Sequence, residues 1–295
     1  MTHHIPVLLT EVLEGLDIQA HDRLVEGTMG YGNHALELIK KLGPKGIYIG
    51  IDQDKEAITH CQTLLKGENI SLHHDNYKNI PEILEKEKHT RITKLFLDLG
   101  FSSPQLDTSE RGLSFQSEGP LDMRLNQEST LTAKDILNTY AEKELSDIFF
   151  HYGELRHNKK LCENILQTRR KTPLETTSDL VALIKKSYFF HNKRQLMIKT
   201  FSQVFQALRI EVNDEFTILK QTLEDSLSYL EENGRAAIIT FHSGEDRIVK
   251  QFIKQNKQAI QPINKKVIQP TQKEIRENPR AKSAKLRVFQ RLSRA

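Results

Sequence analysis

The chain has 295 residues, a net charge of +4, 37% apolar and 28% charged residues, a make-up that fits a soluble globular protein of one large domain or two ordinary ones. No apolar run approaches the roughly 18–20 residues that span a bilayer. The start, MTHHIPVLLTEVLEGL, lacks a basic leader and carries Glu11 and Glu14, so neither a signal peptide nor a membrane contact is expected.

Apolar runs alternate with helical stretches through the first hundred residues. RLVEGT (23–28), GIYIGID (46–52), ISLHHD (70–75) and KLFLDLG (94–100) read as strands. Between them NHALELIKKLG, KEAITHCQTLLKG and NIPEILEKEK read as helices with glycine or basic C-terminal ends. Such alternation with short turns predicts a parallel sheet covered by helices on both faces. The pattern stops at 101–127, where turn signals at Ser103-Pro104 and Gly119-Pro120 break up a stretch without periodicity; a loop that long is usually functional or disordered. From about 131 to 197 short helices follow. Val204, Leu208, Val212, Phe216, Leu219, Leu223, Leu227 and Leu230 then recur at spacings of four and three, which predicts one long helix or two in line. GRAAIITFHS (234–243) restores a strand, and AKLRVFQRL (284–292) predicts a last one carrying basic residues. The expected architecture is therefore α/β, a sheet domain over 1–105 and 198–295 interrupted by a loop and helical insertion over 106–197.

Charge is unevenly placed. From Gln251 onward twelve Lys or Arg face only Glu274 and Glu277, a net +10, which leaves −6 on the first 250 residues. A basic segment of this kind is expected to attract phosphate. Cys61 and Cys162 form no C-x-x-C pair, and His34, His73, His74, His151 and His157 show no metal-ligand spacing. No disulfide framework and no metal are expected, and a reducing, cytoplasmic location suits the cysteines.

VEGTMGYGNHALEL (25–38) carries the first chemical signal. Gly30-Tyr31-Gly32-Asn33-His34-Ala35 satisfies a G-x-G-x-x-G/A turn between a strand and a helix, and Asp52 lies 20 residues after Gly32 at the end of the next strand. The glycines allow close backbone approach to a ligand and the acid can hold ribose hydroxyls, a logic that serves NAD and S-adenosyl-L-methionine alike. Glu26, at the end of the first strand, suits a cationic ligand and would repel a pyrophosphate, which favours the methyl donor. Asp75 could accept from an adenine amino group and Tyr77 lie against the ring, although an N-cap acid and a partly buried tyrosine explain them as well. LDLGFSSPQLD (97–107) brings Asp98 and Gln105 to the same sheet edge. No cysteine nucleophile lies nearby, so pyrimidine carbon-5 methylation is disfavoured. An exocyclic amine needs only acceptors and in-line placement, which Asp98 could supply, unless it is a ligand contact or a structural acid. FHSGEDR (241–247) leaves the later strand at the same edge and reads either as a helix N-terminus or as part of a target pocket.

HIPVLLTEVLEGL, EGTMGYGNHA, GIDQD, LDLGFSSPQLDTSERGLSFQSEGPLDMRLN, FQALRIEVN, FHSGEDRIVK and NPRAKSAKLR occur in this order along nearly the whole chain. Together they resemble the bacterial 16S rRNA cytosine-N4 methyltransferases, the MraW-like family. The resemblance implies a class I S-adenosyl-L-methionine-dependent methyltransferase fold, Rossmann-like with a mostly parallel sheet, carrying an inserted all-helical domain. It also implies methylation of a cytosine amine in the decoding region of 16S rRNA, within the small ribosomal subunit. The expected donor contacts are Glu26, Gly30, Gly32, Asn33, His34, Asp52, Tyr77, Asp98 and Gln105. Asp98, Ser102 and Ser103 are the candidate catalytic residues, and Arg111, Asp122, Arg124, His242, Ser243, Arg280 and Lys282 the candidate substrate contacts. Asn33, Tyr77 and Gly244 depart from the family's usual glycine, phenylalanine and leucine; Asn33 is expected to tolerate a left-handed backbone and Gly244 to loosen its helix start. Two other readings stay open on sequence: a non-enzymatic ribosome-assembly factor and an NAD-type oxidoreductase. Monomer and homodimer are both compatible with the sequence.

Overall fold

A computed structural model describes residues 6–101, 108–191 and 193–293. The chain divides into two compact units, residues 1–101 with 216–295, and residues 102–215.

In the first unit seven strands form one sheet: β1 (Arg23–Glu26), β2 (Ile47–Asp52), β3 (Ile70–His74), β4 (Ile92–Asp98), β5 (Leu230–Thr240), β6 (Ile260–Pro262) and β7 (Lys285–Arg291). Their order is β3-β2-β1-β4-β5-β7-β6. The pairs from β3 to β5 are parallel, and β7 runs antiparallel to both β5 and β6. The predicted strands all exist, with ends shifted by a few residues. Alternate residues serve opposite faces. Leu24, Tyr48, Phe96 and Ala237 pack with α1 (Leu9–Leu16), α2 (Asn33–Ile39) and α3 (Lys55–Leu64). Val25, Ile49, Leu95 and Ala236 pack with α4 (Ile80–Lys86), with α10 (Glu215–Tyr229, in this unit from Phe216) and with α11 (Ser243–Gln255). Both faces are buried, which is why the strands read as nearly continuous apolar runs. A short helix, α12 (Gln272–Glu277), precedes β7.

The second unit is helical: α5 (Ala133–Thr139), α6 (Glu142–His151), α7 (Lys159–Arg169), α8 (Thr177–Ser187) and α9 (Arg194–Asn213). Thr132 and Thr176 each close a capping box, with Asp135 and Asp179. The described part of the preceding loop, from residue 108, is built into this unit. Leu121 and Met123 are buried in its core, and the Leu121 N–H donates to the Glu175 carbonyl at 2.9 Å.

Two sequence expectations need adjusting. The apolar stripe from Val204 to Leu230 is divided between two cores: Val204, Leu208 and Val212 enter that of the helical unit, while Leu219, Leu223 and Leu230 enter that of the sheet unit. The break is Asp214, whose φ of 48° ends α9. The insertion boundary expected at 197/198 would cut α9, whose buried residues belong to the helical unit throughout; the division falls at 215/216. Among the described residues no helix is long and apolar enough to cross a membrane.

Candidate active site

Three adjacent strands of the sheet unit each end in an acid. Glu26 closes β1, Asp52 closes β2 and Asp98 closes β4, with β1 in the middle. Glu26 pairs in register with Gly50 and Phe96, so the other two acids stand one strand either side and two residues further on. Burial raises the Glu26 carboxyl well above its usual range; the Tyr48 hydroxyl, donating to Oε2 at 2.6 Å, opposes this, and the charges of Asp98 and Asp52 add to it. Burial likewise pushes Asp52 up to about 6, against N–H bonds from Asp54 and Gly30. Asp98 is raised by burial first, with Glu245 adding to it and His34 and the Gly100 N–H opposing. Glu26, raised by burial and by both neighbouring acids, is relieved by a cation placed among them.

The turn after β1 hangs from both neighbouring strands. Gly27 N–H donates to Phe96 O, Met29 N–H to Ile51 O, and the Thr28 hydroxyl oxygen accepts from Asp98 N–H at 2.7 Å. Gly30 and Gly32 have φ of 53° and 81°, where glycine carries no Cβ penalty. Gly30 N–H donates to Asp52 Oδ2 at 2.7 Å, and a Cβ on Gly30 would meet nothing within 4 Å. A Cβ on Gly32 would lie 3.0 Å from Cys61 Sγ. The turn is thus packed on one side at Gly32 and open at Gly30. Asp52 takes Asp54 N–H on Oδ1, yet a carboxylate has about four lone-pair sites, which leaves capacity for ribose hydroxyls. Open glycine backbone, an acid on the next strand and a cation-favouring cluster suit a ribose-bearing cationic donor.

His34 is hydrogen-bonded at one ring nitrogen and approached by an acid at the other. Nε2 lies 2.9 Å from Val7 O, and Nδ1 lies 3.6 Å from Asp98 Oδ2. The ring stands edge-on to Phe96, centroids 4.8 Å apart. Burial first, against the attraction of Asp98 and the Val7 bond, lowers its pKa.

The remaining sequence candidates fare differently. Asn33 begins α2 and has no positive φ, so the left-handed demand expected there falls on its glycine neighbours. Tyr77 is 8% exposed and belongs to the core, against Gly27 and Leu97, so the expected adenine platform is largely withdrawn from the surface. Asp75 Oδ1 accepts from Asn76 N–H and Asn79 Nδ2, the structural alternative. His242 caps α11, its Nδ1 accepting from Glu245 N–H at 3.4 Å, and Ser243 is the exposed first helical residue. Gly244 does not loosen this start: it is buried, and a Cβ there would lie 2.4 Å from the Phe216 ring, which occupies the space a leucine would need. Arg280 and Lys282 lie exposed before β7. Lys285 and Arg287 of the basic segment instead pair with Asp246, at 3.4 and 2.7 Å, so part of that charge is neutralised within the fold.

In the helical unit Arg111 is buried, its Nη1 3.5 Å from Leu125 O. Asp122 and Arg124 clamp each other, with Nη2 2.6 Å and Nε 2.9 Å from the two carboxylate oxygens. Nη1 of Arg124 also donates to Ser129 O. These side chains hold their own loop, in place of the free substrate contacts expected of them. Ser102, Ser103 and Gln105 lie outside the described residues.

Sequence reasoning missed Tyr48, Thr28, Val7 and Glu245. Glu245 is 3% exposed and accepts the Phe241 and His242 N–H groups; its spacing of three from a helix start was the available signal. The others act through partners distant in sequence, which periodicity does not reveal.

A family model described as the MraW methylase family matches residues 1–292. A protein of Dictyoglomus turgidum named ribosomal RNA small subunit methyltransferase H is 41% identical over 291 residues, 98% of this chain and 97% of its own. One of the same name from Clostridium botulinum (strain Loch Maree / Type A3) is 41% identical over 307 residues, 98% and 99% of the two chains. A solved rRNA methylase from Streptococcus thermophilus matches with a TM-score of 0.46 and 12% identity, over 97% and 94%. The chain belongs to the MraW methylase family, and its fold is α/β.

Proposed function

We propose that the chain transfers a methyl group from S-adenosyl-L-methionine to the N4 amine of a cytosine in the decoding region of 16S rRNA, within the small ribosomal subunit. The observation that carries this reading is the acidic edge at Glu26, Asp52 and Asp98 beside the open turn at Gly30, in a chain whose relatives are named as small-subunit rRNA methyltransferases. The donor supplies an electrophilic methyl group. Asp52 holds its ribose hydroxyls and the glycine turn lets the backbone come close. Asp98 accepts from the target amine, whose lone pair is delocalised into the ring and gains from an acceptor that fixes it in line.

A cytosine in a folded RNA must be unstacked before its amine can reach a buried donor. The helical unit is the substrate-recognition domain. The exposed basic residues between Lys254 and Lys282 attract rRNA phosphate, so binding weakens steeply with salt. Small subunits from a strain lacking this enzyme, incubated with methyl-labelled donor and digested to nucleosides, test the proposal. Label in N4-methylcytidine supports it. Label in another nucleoside overturns the target, and no label with no donor binding overturns the enzyme in favour of an assembly factor.

A further inference from the structure

The proposed reaction leaves one proton without an assigned destination, and the geometry points to the pair of Asp98 and His34 as its acceptor. We propose that Asp98 takes the proton from the methylated amine, and that His34 is the positioning residue that shares it. This rests on the reading of the chain as an amine methyltransferase.

The Val7 carbonyl can only accept, so the 2.9 Å contact fixes the ring proton on Nε2 of His34 and leaves Nδ1 bare in the neutral ring. That bare nitrogen lies 3.6 Å from Asp98 Oδ2, beyond hydrogen-bond distance but near enough that a small approach of the two side chains lets them hold one proton between them. The other oxygen of Asp98, Oδ1, takes Gly100 N–H at 2.9 Å, so Oδ2 is the one left for the proton. His34 cannot turn away easily. It is 6% exposed and stands against Phe96. Val7 is itself held, because the next residue, Leu8, sits at φ 54° with its N–H donating to Glu274 Oε1 at 2.8 Å. A leucine in that left-handed region is strained, and such strain persists where the surroundings impose it. Among the described residues, the acids Glu245 of α11 and Glu26 of β1 interact electrostatically with Asp98, and His242 lies against Glu245 at 2.9 Å. The two acids favour uptake of a proton by Asp98 and compete with it for none of the bonds named.

The amine nitrogen forms its bond to the methyl carbon while the carbon–sulfur bond breaks, its electron pair going to sulfur. The nitrogen then holds one proton too many and gives it to Asp98 Oδ2, where His34 Nδ1 shares it until release to solvent. Transfer therefore needs the pair proton-free beforehand, and kcat rises with pH through the apparent pKa of the pair.

Two measurements test this. In the ligand-free protein, labelled at histidine nitrogen, NMR should show His34 Nε2 protonated at every pH and Nδ1 titrating; Asp98→Asn should move that titration to lower pH. In kinetics with subunits, His34→Gln should lower kcat about 10- to 100-fold and displace the acidic limb of the kcat profile. A titration indifferent to Asp98→Asn overturns the pair. So does a His34→Gln variant with an unchanged kcat profile, or one whose whole defect is in donor KM. Should the wild-type protein methylate no cytosine, the function itself has failed, whereas the NMR result judges the pair independently.

Discussion

Asp98 in the sheet unit and Asp122 in the helical unit share one local design. Each uses Oδ1 to accept the N–H of the residue two positions on, at 2.9 Å, and each is partly buried. Their other partners differ. Asp122 faces the Arg124 guanidinium, and although burial pulls its carboxyl up, those bonds and that charge hold it below the usual range. Asp98 faces a histidine ring and, beyond it, other acids, so burial prevails and the carboxyl is raised. An acid answered by its own arginine is finished as a structural part. One answered by a neutral ring and by further acids still has an electrostatic demand that a cation or a proton can meet, and the proposed site lies at such an acid.

The largest expected effect follows from removing the unfinished acid. Asp98→Ala should lower kcat by about 10²- to 10⁴-fold with an unchanged far-UV spectrum and melting behaviour; full activity in that variant would dissolve the contrast. Asp52→Asn should weaken donor binding by about 10- to 100-fold, the worth of hydrogen bonds to a charged group, read by calorimetry. Donor affinity should also depend on pH. Asp52 is raised to about 6 in the free protein and a bound cation lowers it, so binding releases a proton. The dissociation constant should then fall as pH rises through about 6, by at most about tenfold per unit, and a flat profile would show that no cation meets these acids. The smallest effect belongs to the finished acid. Asp122→Asn should cost about 1 kcal/mol of stability and little activity. Its folded pKa is depressed, so the stability it contributes is present at neutral pH and lost as pH falls below about 3.8; a denaturant midpoint measured from pH 7 to pH 3 checks this.

Much of the sheet was legible because its strands are buried on both faces and the turns between them carry glycine or acid signals. Gly30, Gly32, Asp52 and Asp98 were legible for the same reason: each closes a strand or opens a turn, positions where a sequence reports its chemistry locally. The rest depended on partners far along the chain. Nothing around Tyr77 announces that it joins a core cluster with Leu97 close to Gly27, and nothing in AKLRVFQRL shows that Lys285 and Arg287 are taken by Asp246. The apolar stripe over Val204–Leu230 gave the helical period correctly but not the left-handed Asp214 that shares it between two cores, since one residue with positive φ leaves the spacing unchanged.

The place of β7 bears on how the chain is made. This strand, the last in sequence, lies inside the sheet between β5 and β6. A nascent chain that has emerged as far as Thr240 has β5 with one open edge, and β6 gains its partner only when Lys285–Arg291 arrives. Pairing over such separations is slow, and an open edge can add a strand from another chain. The sheet is therefore completed late in synthesis, and its time of exposure to mispairing is set by the roughly 45 residues between those two strands, at about 5–20 residues per second.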